Sequence, residues 1–252
     1  MGLPVSILLR GPTAREPRHE AAVQRVYDEL RAVEAVFSTW RPDSEVSRLN
    51  AGELDLAGCS PDVRDVADLC ELARVDTAGC FDAHRPDGTW DPSGLVKGWA
   101  VERACGHLAG LPLDWCVNAG GDVQAASRTG EPFGVGIADP RDPAGVLAVV
   151  PLTTGALATS GTAARGAHLW DPRPGRSAAG LLSVTVLGAS LTEVDVLATA
   201  AFIGGLDLLA RPAGRLVPAE AAGLAVHLDG RIVTTANWPI GTLKKPVQNA
   251  EG

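Results

Sequence analysis

The residues best suited to chemistry lie in Gly155–Gly175, a stretch of small residues, hydroxyls and one histidine. Thr159, Ser160 and Gly161 predict a turn in which backbone N–H groups and hydroxyls converge on an oxyanion. His168 follows seven residues later. A neutral imidazole near phosphate-binding donors suits a general base that takes a proton from an attacking hydroxyl. A glycine-rich loop that carries a histidine by chance explains this stretch equally well, so the other motifs must decide.

A second pair of oxygen-bearing side chains, Asp195 and Thr199, is spaced four residues apart in a predicted apolar helix. That spacing places both on one face of the helix. An unpaired carboxylate among apolar neighbours would be costly. Hard oxygens on one face therefore indicate Mg²⁺ or Ca²⁺, with the remaining ligands supplied from elsewhere. The alternative is an aspartate that accepts from a loop backbone and a threonine bonded back to its own helix.

Two glycine-containing segments could bring backbone donors to an anion. Asp91–Gly98 reads DPSGLVKG and leads into a predicted helix, whose N-terminus and Lys97 suit a phosphate. It matches neither the Walker loop nor the G-x-G-x-x-G pattern after a strand. Asn118–Asp122 closes a predicted strand with Gly120 and Gly121, which let a bulky ligand approach the backbone. The alternative for Asp91–Gly98 is an ordinary turn with a surface lysine, and the alternative for Asn118–Asp122 is a tight turn.

Helices and strands alternate irregularly along the chain and must position these residues. Apolar residues at three- and four-residue spacing predict helices over Glu16–Phe37, Asp62–Thr77, Leu95–Gly110 and Leu191–Gly205. Short apolar runs predict strands at Pro4–Leu9, Cys116–Ala119, Gly134–Ala138, Val146–Thr153 and Leu181–Val186, and a hairpin about Asp229 and Gly230. No linker divides the chain, so we expect one domain over residues 1–252, with an irregular tail from about Trp238.

Composition narrows the class of partner. Hydrophobic residues make up 46% and charged residues 21% of the 252 positions, which is typical of a globular protein. The net charge of −8 and the lack of a basic cluster argue against nucleic acid. The same negative field would repel a pyrophosphate unless a divalent cation intervened. Composition thus gives a weak indication of a metal.

The cysteines and the hydropathy pattern indicate in which cellular compartment the protein is found. The five cysteines show no C-x-x-C spacing, which argues against a zinc cluster or a disulfide framework. No apolar run approaches the roughly 18 residues that a membrane span needs. The N-terminus has no basic n-region, apolar h-region or lipobox cysteine. We therefore expect a cytoplasmic protein without a membrane span.

Six ordered motifs resemble those of the ApbE family of FAD:protein FMN transferases. They are FSTW…DSEVSRLN (Phe37–Asn50), FD (Phe81 and Asp82), DPSGLVKGWA (Asp91–Ala100), VNAGGD (Val117–Asp122), ATSG…HLWDPRPG (Ala158–Gly175) and VDVLATA (Val194–Ala200). The resemblance runs from Met1 to about Gly205. It implies a T-fold-like α+β architecture, with mixed or antiparallel sheets flanked by helices and a cleft between two lobes.

The resemblance also implies an activity and a set of site residues. The activity is Mg²⁺-dependent transfer of FMN from FAD to a Thr or Ser hydroxyl in an extended loop of a target flavoprotein, with release of AMP. His168 matches the proposed base, and Asp195, Thr199 and the backbone carbonyl of Gly94 match the metal ligands. With the glycines and hydroxyls discussed above, the expected cofactor contacts are Met1, Trp40, Phe81, Asp82, Ala83, Asp91, Lys97, Asn118, Gly120, Gly121, Thr159, Ser160 and His168.

Some features depart from the family. The family usually begins its first strand with Met-Gly-Thr and packs that methionine near the flavin, whereas this chain begins Met1-Gly2-Leu3. The usual signal peptide is missing, which fits a cytoplasmic member. The common S-G-x-Y becomes Ser160-Gly161-Thr162-Ala163, so a tyrosine contact is lost.

Two alternative functions use the same site: an FAD pyrophosphatase that yields FMN and AMP, and a non-catalytic FAD-binding protein.

Overall fold

The computed structural model describes residues 3–162, 171–173, 180–210, 214–216 and 221–239. Within these ranges, five α-helices are α1 (Glu20–Phe37), α2 (Glu45–Asn50), α3 (Pro61–Asp76), α4 (Ser93–Cys105) and α5 (Leu191–Gly204). The strands there are β1 (Val5–Arg10), β2 (Asp114–Ala119), β3 (Asp122–Ala126), β4 (Phe133–Asp139), β5 (Asp142–Leu152), β6 (Thr154–Gly161), β7 (Leu181–Gly188), β8 (Ala222–His227) and β9 (Ile232–Thr234). No helix among the described residues combines the length and apolar character that a bilayer crossing requires.

One seven-stranded sheet organises the chain. Its strand order is β1-β2-β3-β6-β7-β8-β9, and every neighbouring pair is antiparallel. β4 and β5 form a separate antiparallel hairpin. One core lies on the helix side of the large sheet, and a second core joins the sheet to the β4–β5 hairpin. The predicted α+β class with antiparallel sheets is therefore confirmed, while the division into two lobes stays a prediction.

Helix α5 is buried on nearly every side, as its apolar sequence predicts. Its N-terminus is capped by Ser190, whose hydroxyl accepts from the Glu193 N–H and donates to Glu102 Oε2 of α4 at 2.7 Å. It crosses α4 at Gly98, where an added Cβ would lie only 2.6 Å from the Leu191 carbonyl oxygen. Because Gly98 has no side chain, the two helices approach closely enough for their polar groups to meet.

Thr159, Ser160 and Gly161 are the clearest error of the sequence interpretation. They were predicted as a turn, yet they end strand β6 and pair with Thr185, Val184 and Ser183 of β7. Small and hydroxyl residues fit here because α5 packs directly on this part of the sheet. The pairing partners lie more than 20 residues away along the chain, so the local sequence pattern does not reveal the strand.

Four of the five cysteines are buried core residues, and Cys116 is partly buried. All five lie within the described residues, and none of them forms a disulfide. Burial raises the pKa of the Cys70 and Cys105 thiols to about 12. These two thiols therefore stay protonated and unreactive at neutral pH.

Candidate functional site

A cleft of about 180 Å³ opens where the 80–91 segment, the start of α4 and the facing parts of β6 and α5 meet. Its lining includes most of the residues that the sequence singled out, although they come from five separate parts of the chain. They are Phe81, Asp82, Ala83, Asp91, Gly94, Lys97, Gly120, Thr159, Ser160, Asp195 and Thr199. The structure thus brings these side chains and glycines into one place, and their roles toward a ligand stay predictions.

Three predicted site residues in the described part of the chain are not in this lining. Trp40 is 93% exposed, in the loop between α1 and α2. Asn118 and Gly121 lie beside the cleft, where Asn118 Oδ1 accepts the Gly121 N–H at 3.0 Å and braces the hairpin turn. Met1 and His168 lie outside the described residues. The proposed base therefore stays a sequence-based prediction.

The turn between β2 and β3 places an acidic residue beneath the cleft, against Lys97. Ala119 pairs with Asp122, so only Gly120 and Gly121 form the connection. Both have positive φ, +63° and +101°, as a two-residue type I′ hairpin requires, and this explains the paired glycines. The Gly120 N–H donates to the Pro4 carbonyl at 2.9 Å, which ties the turn to the chain just before β1. Asp122 is therefore held at a fixed position at the start of β3.

The cleft floor is an ionic cluster of three side chains. Lys97 lies one turn into α4, and its ammonium contacts Asp195 Oδ1 at 3.1 Å and forms an ion pair with Asp122. Both carboxylates are about 1% exposed. The second oxygen of Asp195 accepts the Gly98 N–H at 3.1 Å. Paired charges and backbone donors offset the cost of burying these groups.

The rim of the cleft is fixed by Asp91 and its neighbours. Burial alone would raise the pKa of Asp91, but hydrogen bonds from Ser93 and the Arg85 guanidinium outweigh it and hold the pKa below its usual value. Arg85 Nε donates to Asp91 Oδ2 at 3.0 Å. The next residue back, Trp90, exchanges two backbone hydrogen bonds of 2.8 and 2.9 Å with the Asn50 side chain. Asp91 is thus a fixed anion at the start of α4.

Ser160 and Thr199 place their hydroxyls on the wall formed by β6 and α5, whereas the neighbouring Thr159 directs its hydroxyl to the opposite face of the sheet. Ser160 Oγ lies 3.1 Å from Thr199 Oγ1, and Thr159 Oγ1 lies 2.9 Å from Thr185 Oγ1. Asp195 and Thr199 both line the cleft, as their four-residue spacing predicts. Ser160 therefore adds a hydroxyl next to the predicted metal ligands.

The donors present suit a hard divalent cation. Asp195, Thr199, Ser160 and the Gly94 carbonyl offer oxygens within the one cleft. The Gly98 N–H donates to Asp195 Oδ2 at 3.1 Å, which fixes the orientation of this carboxylate beside Gly94. Within the described ranges, no three His, Cys, Asp or Glu side chains form a metal-binding group.

Several cleft residues were not among the predicted site residues. They are Cys80, Arg85, Ser93, Pro172 and Ile203, which line the cleft, and Asp122, which contacts Lys97 below it. Asp122 closes the VNAGGD motif, so its position after two glycines was visible in the sequence. Its partner Lys97 lies 25 residues earlier on another element, and their contact was not visible.

Comparisons with known proteins agree on one family. The ApbE family model matches residues 1–85 and 84–218. A curated relative, the FAD:protein FMN transferase of Rhodobacter capsulatus, is 34% identical over 156 residues, which cover 58% of this chain and 29% of that protein. The chain thus spans less than a third of that relative's length.

Solved structures extend the likeness across the fold. An ApbE protein from Thermotoga maritima superposes with a TM-score of 0.77 at 22% identity, and the superposition covers 93% of this chain and 94% of that protein. The flavin transferase ApbE from Vibrio cholerae gives a TM-score of 0.72 at 21% identity, and the superposition covers 93% of this chain and 98% of that protein. At these identities the likeness bears on the fold, and it confirms the predicted architecture of antiparallel sheet and flanking helices.

Proposed function

The chain belongs to the ApbE family, and from that premise we propose that it is a Mg²⁺-dependent FAD:protein FMN transferase. The reaction would move the FMN moiety of FAD onto a Thr or Ser hydroxyl of a target flavoprotein and release AMP. The observation that carries this proposal is the meeting of the Lys97 ammonium with the oxygens of Asp195 and Thr199 in one cleft. A cation beside hard oxygens suits a diphosphate and the metal that accompanies it.

The cleft size indicates which part of FAD it holds. Its volume of about 180 Å³ is smaller than the roughly 300 Å³ at which pockets for drug-sized ligands begin. We therefore assign the diphosphate to the cleft and the two ring systems to its rim. Phe81 is a buried part of the cleft wall, packed against Gly94, where an added Cβ would be 3.2 Å from the phenyl ring.

The chemical step is a substitution at the FMN phosphorus. The acceptor hydroxyl oxygen forms a bond to that phosphorus, and the bond from the phosphorus to the bridging oxygen breaks, so that AMP leaves with the bridging oxygen. His168 takes the hydroxyl proton as general base. Lys97 stabilises the charge on the diphosphate, and the rest of the barrier falls to positioning of the reactants.

Asp195, Thr199 and the Gly94 carbonyl would hold Mg²⁺, with Ser160 beside them. When bound, the ion would neutralise diphosphate oxygens and make AMP a better leaving group. The acceptor would enter as an extended loop, since a folded element could not bring its hydroxyl to the phosphorus. We also place the reaction in the cytoplasm, because none of the five cysteines forms a disulfide.

One assay tests the proposed function. The purified chain is incubated with FAD, Mg²⁺ and a peptide that contains Asp-Gly-x-Thr-Gly-Ala-Thr, and AMP and peptide mass are followed. Transfer predicts one AMP released for each peptide that gains an FMN group, and none with a control peptide in which alanines replace both threonines. AMP and free FMN without peptide modification would indicate a pyrophosphatase. FAD binding without AMP release would indicate a carrier, and either result would contradict the transferase.

A further inference from the structure

Asp122 is a buried carboxylate that joins two walls of the cleft. It follows the Gly120-Gly121 turn at the start of β3 and is 1% exposed. The β3–β6 ladder ends at Val123 and Leu157, and Asp122 Oδ1 accepts the N–H of Thr159, two residues beyond Leu157, at 3.1 Å. Its other oxygen contacts the Lys97 ammonium from α4. One side chain thus fixes both the cleft strand β6 and the cleft lysine.

Lys97 is an unusual residue in this chain. The sequence contains only three lysines, Lys97, Lys244 and Lys245, among 22 basic residues. A lysine is a compact charge on a flexible four-carbon stem, and here its ammonium reaches both carboxylates. Its side chain is 13% exposed. The position of this ammonium therefore depends on the anions around it.

The two carboxylates that share Lys97 differ in their expected roles. Asp195 is the carboxylate that the proposed Mg²⁺ site would use, whereas Asp122 reaches the ammonium from β3. A divalent cation on Asp195 repels the ammonium at close range. Asp122 continues to attract it and keeps it under the diphosphate position.

We propose that Asp122 is a positioning residue that retains Lys97 in the cleft when the divalent cation engages Asp195. It acts on FAD through Lys97 and does not itself touch the reacting atoms. The inference rests on the proposed function, because that function supplies the metal and the diphosphate. It predicts that loss of the Asp122 charge weakens FAD binding when the metal is present and does not weaken it when the metal is absent.

The test is the FAD dissociation constant of Asp122→Asn, measured by quenching of flavin fluorescence with and without Mg²⁺. Asparagine keeps an oxygen for the Thr159 N–H and replaces the carboxylate oxygen at Lys97 with a neutral amide NH₂ group. With Mg²⁺ we expect FAD affinity to fall about tenfold, the size of one charge-assisted hydrogen bond. Without Mg²⁺ we expect it to stay the same or rise, because Asp195 still holds Lys97 and one negative charge near the diphosphate is gone. Unchanged or tighter FAD binding with Mg²⁺ would overturn the inference.

A double-mutant cycle separates positioning through Lys97 from a structural effect. Lys97→Met alone should weaken FAD binding at least as much as Asp122→Asn. The double variant should bind no more weakly than Lys97→Met, since Asp122 acts only through the lysine. Additive losses would show that Asp122 acts independently and would overturn the proposal.

Amine labelling gives a readout that needs no FAD. Acetylation of Lys97 can be followed by peptide mass, with Lys244 and Lys245 as internal references. In the presence of Mg²⁺, Asp122→Asn should raise the labelling rate of Lys97 several-fold over wild type. Equal protection in both proteins would overturn the inference while leaving the proposed function intact. Failure of the wild type to bind FAD would overturn both.

Asp114→Asn is the matched control for these experiments. Asp114 is also 1% exposed and lies on the neighbouring strand β2, but its partners are Arg10, Arg128 and Thr129, outside the cleft. Its substitution should lower stability and leave FAD affinity and Lys97 labelling unchanged. A thermal melt of each variant establishes that it is folded.

Discussion

The backbone N–H of Gly98 donates to Asp195 Oδ2 at 3.1 Å, so helix α4 directly orients the carboxylate of helix α5. The contact exists because position 98 is glycine. A Cβ there would lie 3.0 Å from Asp195 Cβ and 2.6 Å from the Leu191 carbonyl oxygen. The residue next to the cleft lysine thus sets both the spacing of the two helices and the direction of the predicted metal ligand.

We expect Gly98→Ala to destabilise the protein by about 1–3 kcal/mol, because the added methyl group meets backbone rather than a side chain that can move. The loss should appear in denaturant unfolding in spite of the better helix propensity of alanine. Gly110→Ala is the control, since an added Cβ there meets nothing within 4 Å. Equal stability of Gly98→Ala and wild type would contradict the close helix contact.

Asp195→Asn should remove the response to Mg²⁺. The amide oxygen can still accept the Gly98 N–H, but it no longer attracts a divalent cation strongly. We expect FAD turnover to become low and insensitive to added Mg²⁺, measured as AMP release over a metal titration. Glu193→Gln, two residues earlier on α5 and outside the cleft lining, should keep the normal metal response. A preserved response in Asp195→Asn would show that the metal binds elsewhere.

His168→Ala should retain FAD affinity and lose transfer by about 10²–10⁴-fold, the contribution typical of a general base. AMP release and FAD fluorescence, measured on the same preparation, separate the two effects. His227→Ala, on strand β8, serves as the histidine control. Near-normal transfer by His168→Ala would remove His168 from the mechanism.

Asp114 predicts a defined acid dependence of stability. The Thr129 hydroxyl above all, with the backbone N–H groups of Arg128 and Thr129 and the Arg10 guanidinium, holds the pKa of Asp114 well below its usual range. Because the pKa of Asp114 is lower in the folded state, its ionised carboxylate stabilises the protein at every pH above the unfolded-state pKa of about 3.9. This contribution is lost as the pH falls from there toward the folded-state pKa. The difference in unfolding free energy between wild type and Asp114→Asn should therefore be constant near neutrality and shrink below about pH 4. A difference that does not change with pH would contradict the assignment.

The sequence predicted the helices and turns that are determined by residues close to one another in the chain. The apolar helix predicted over Leu191–Gly205 is observed as Leu191–Gly204, and its Asp195 and Thr199 reach the same cleft. The hairpin about Asp229 and Gly230 is observed as β8 and β9. In each case the periodicity or the turn residues carry the information within a few positions.

Strand β6 and the ionic cluster could not be predicted in this way. The small and hydroxyl residues of β6 have no apolar alternation, and the strand is defined by pairing with β7. Lys97 was predicted as a charge for phosphate, but its contacts with Asp122 and Asp195 join three elements that are distant in the sequence. Such contacts depend on the packing of the whole domain rather than on any local pattern.

The most direct test of the account is a crystal structure of the chain with FAD and Mg²⁺. We predict the diphosphate in the cleft, with Lys97 beside a phosphate oxygen and Mg²⁺ on Asp195 and Thr199. A diphosphate bound away from both Lys97 and Asp195, in crystals of protein that turns over FAD, would contradict the account.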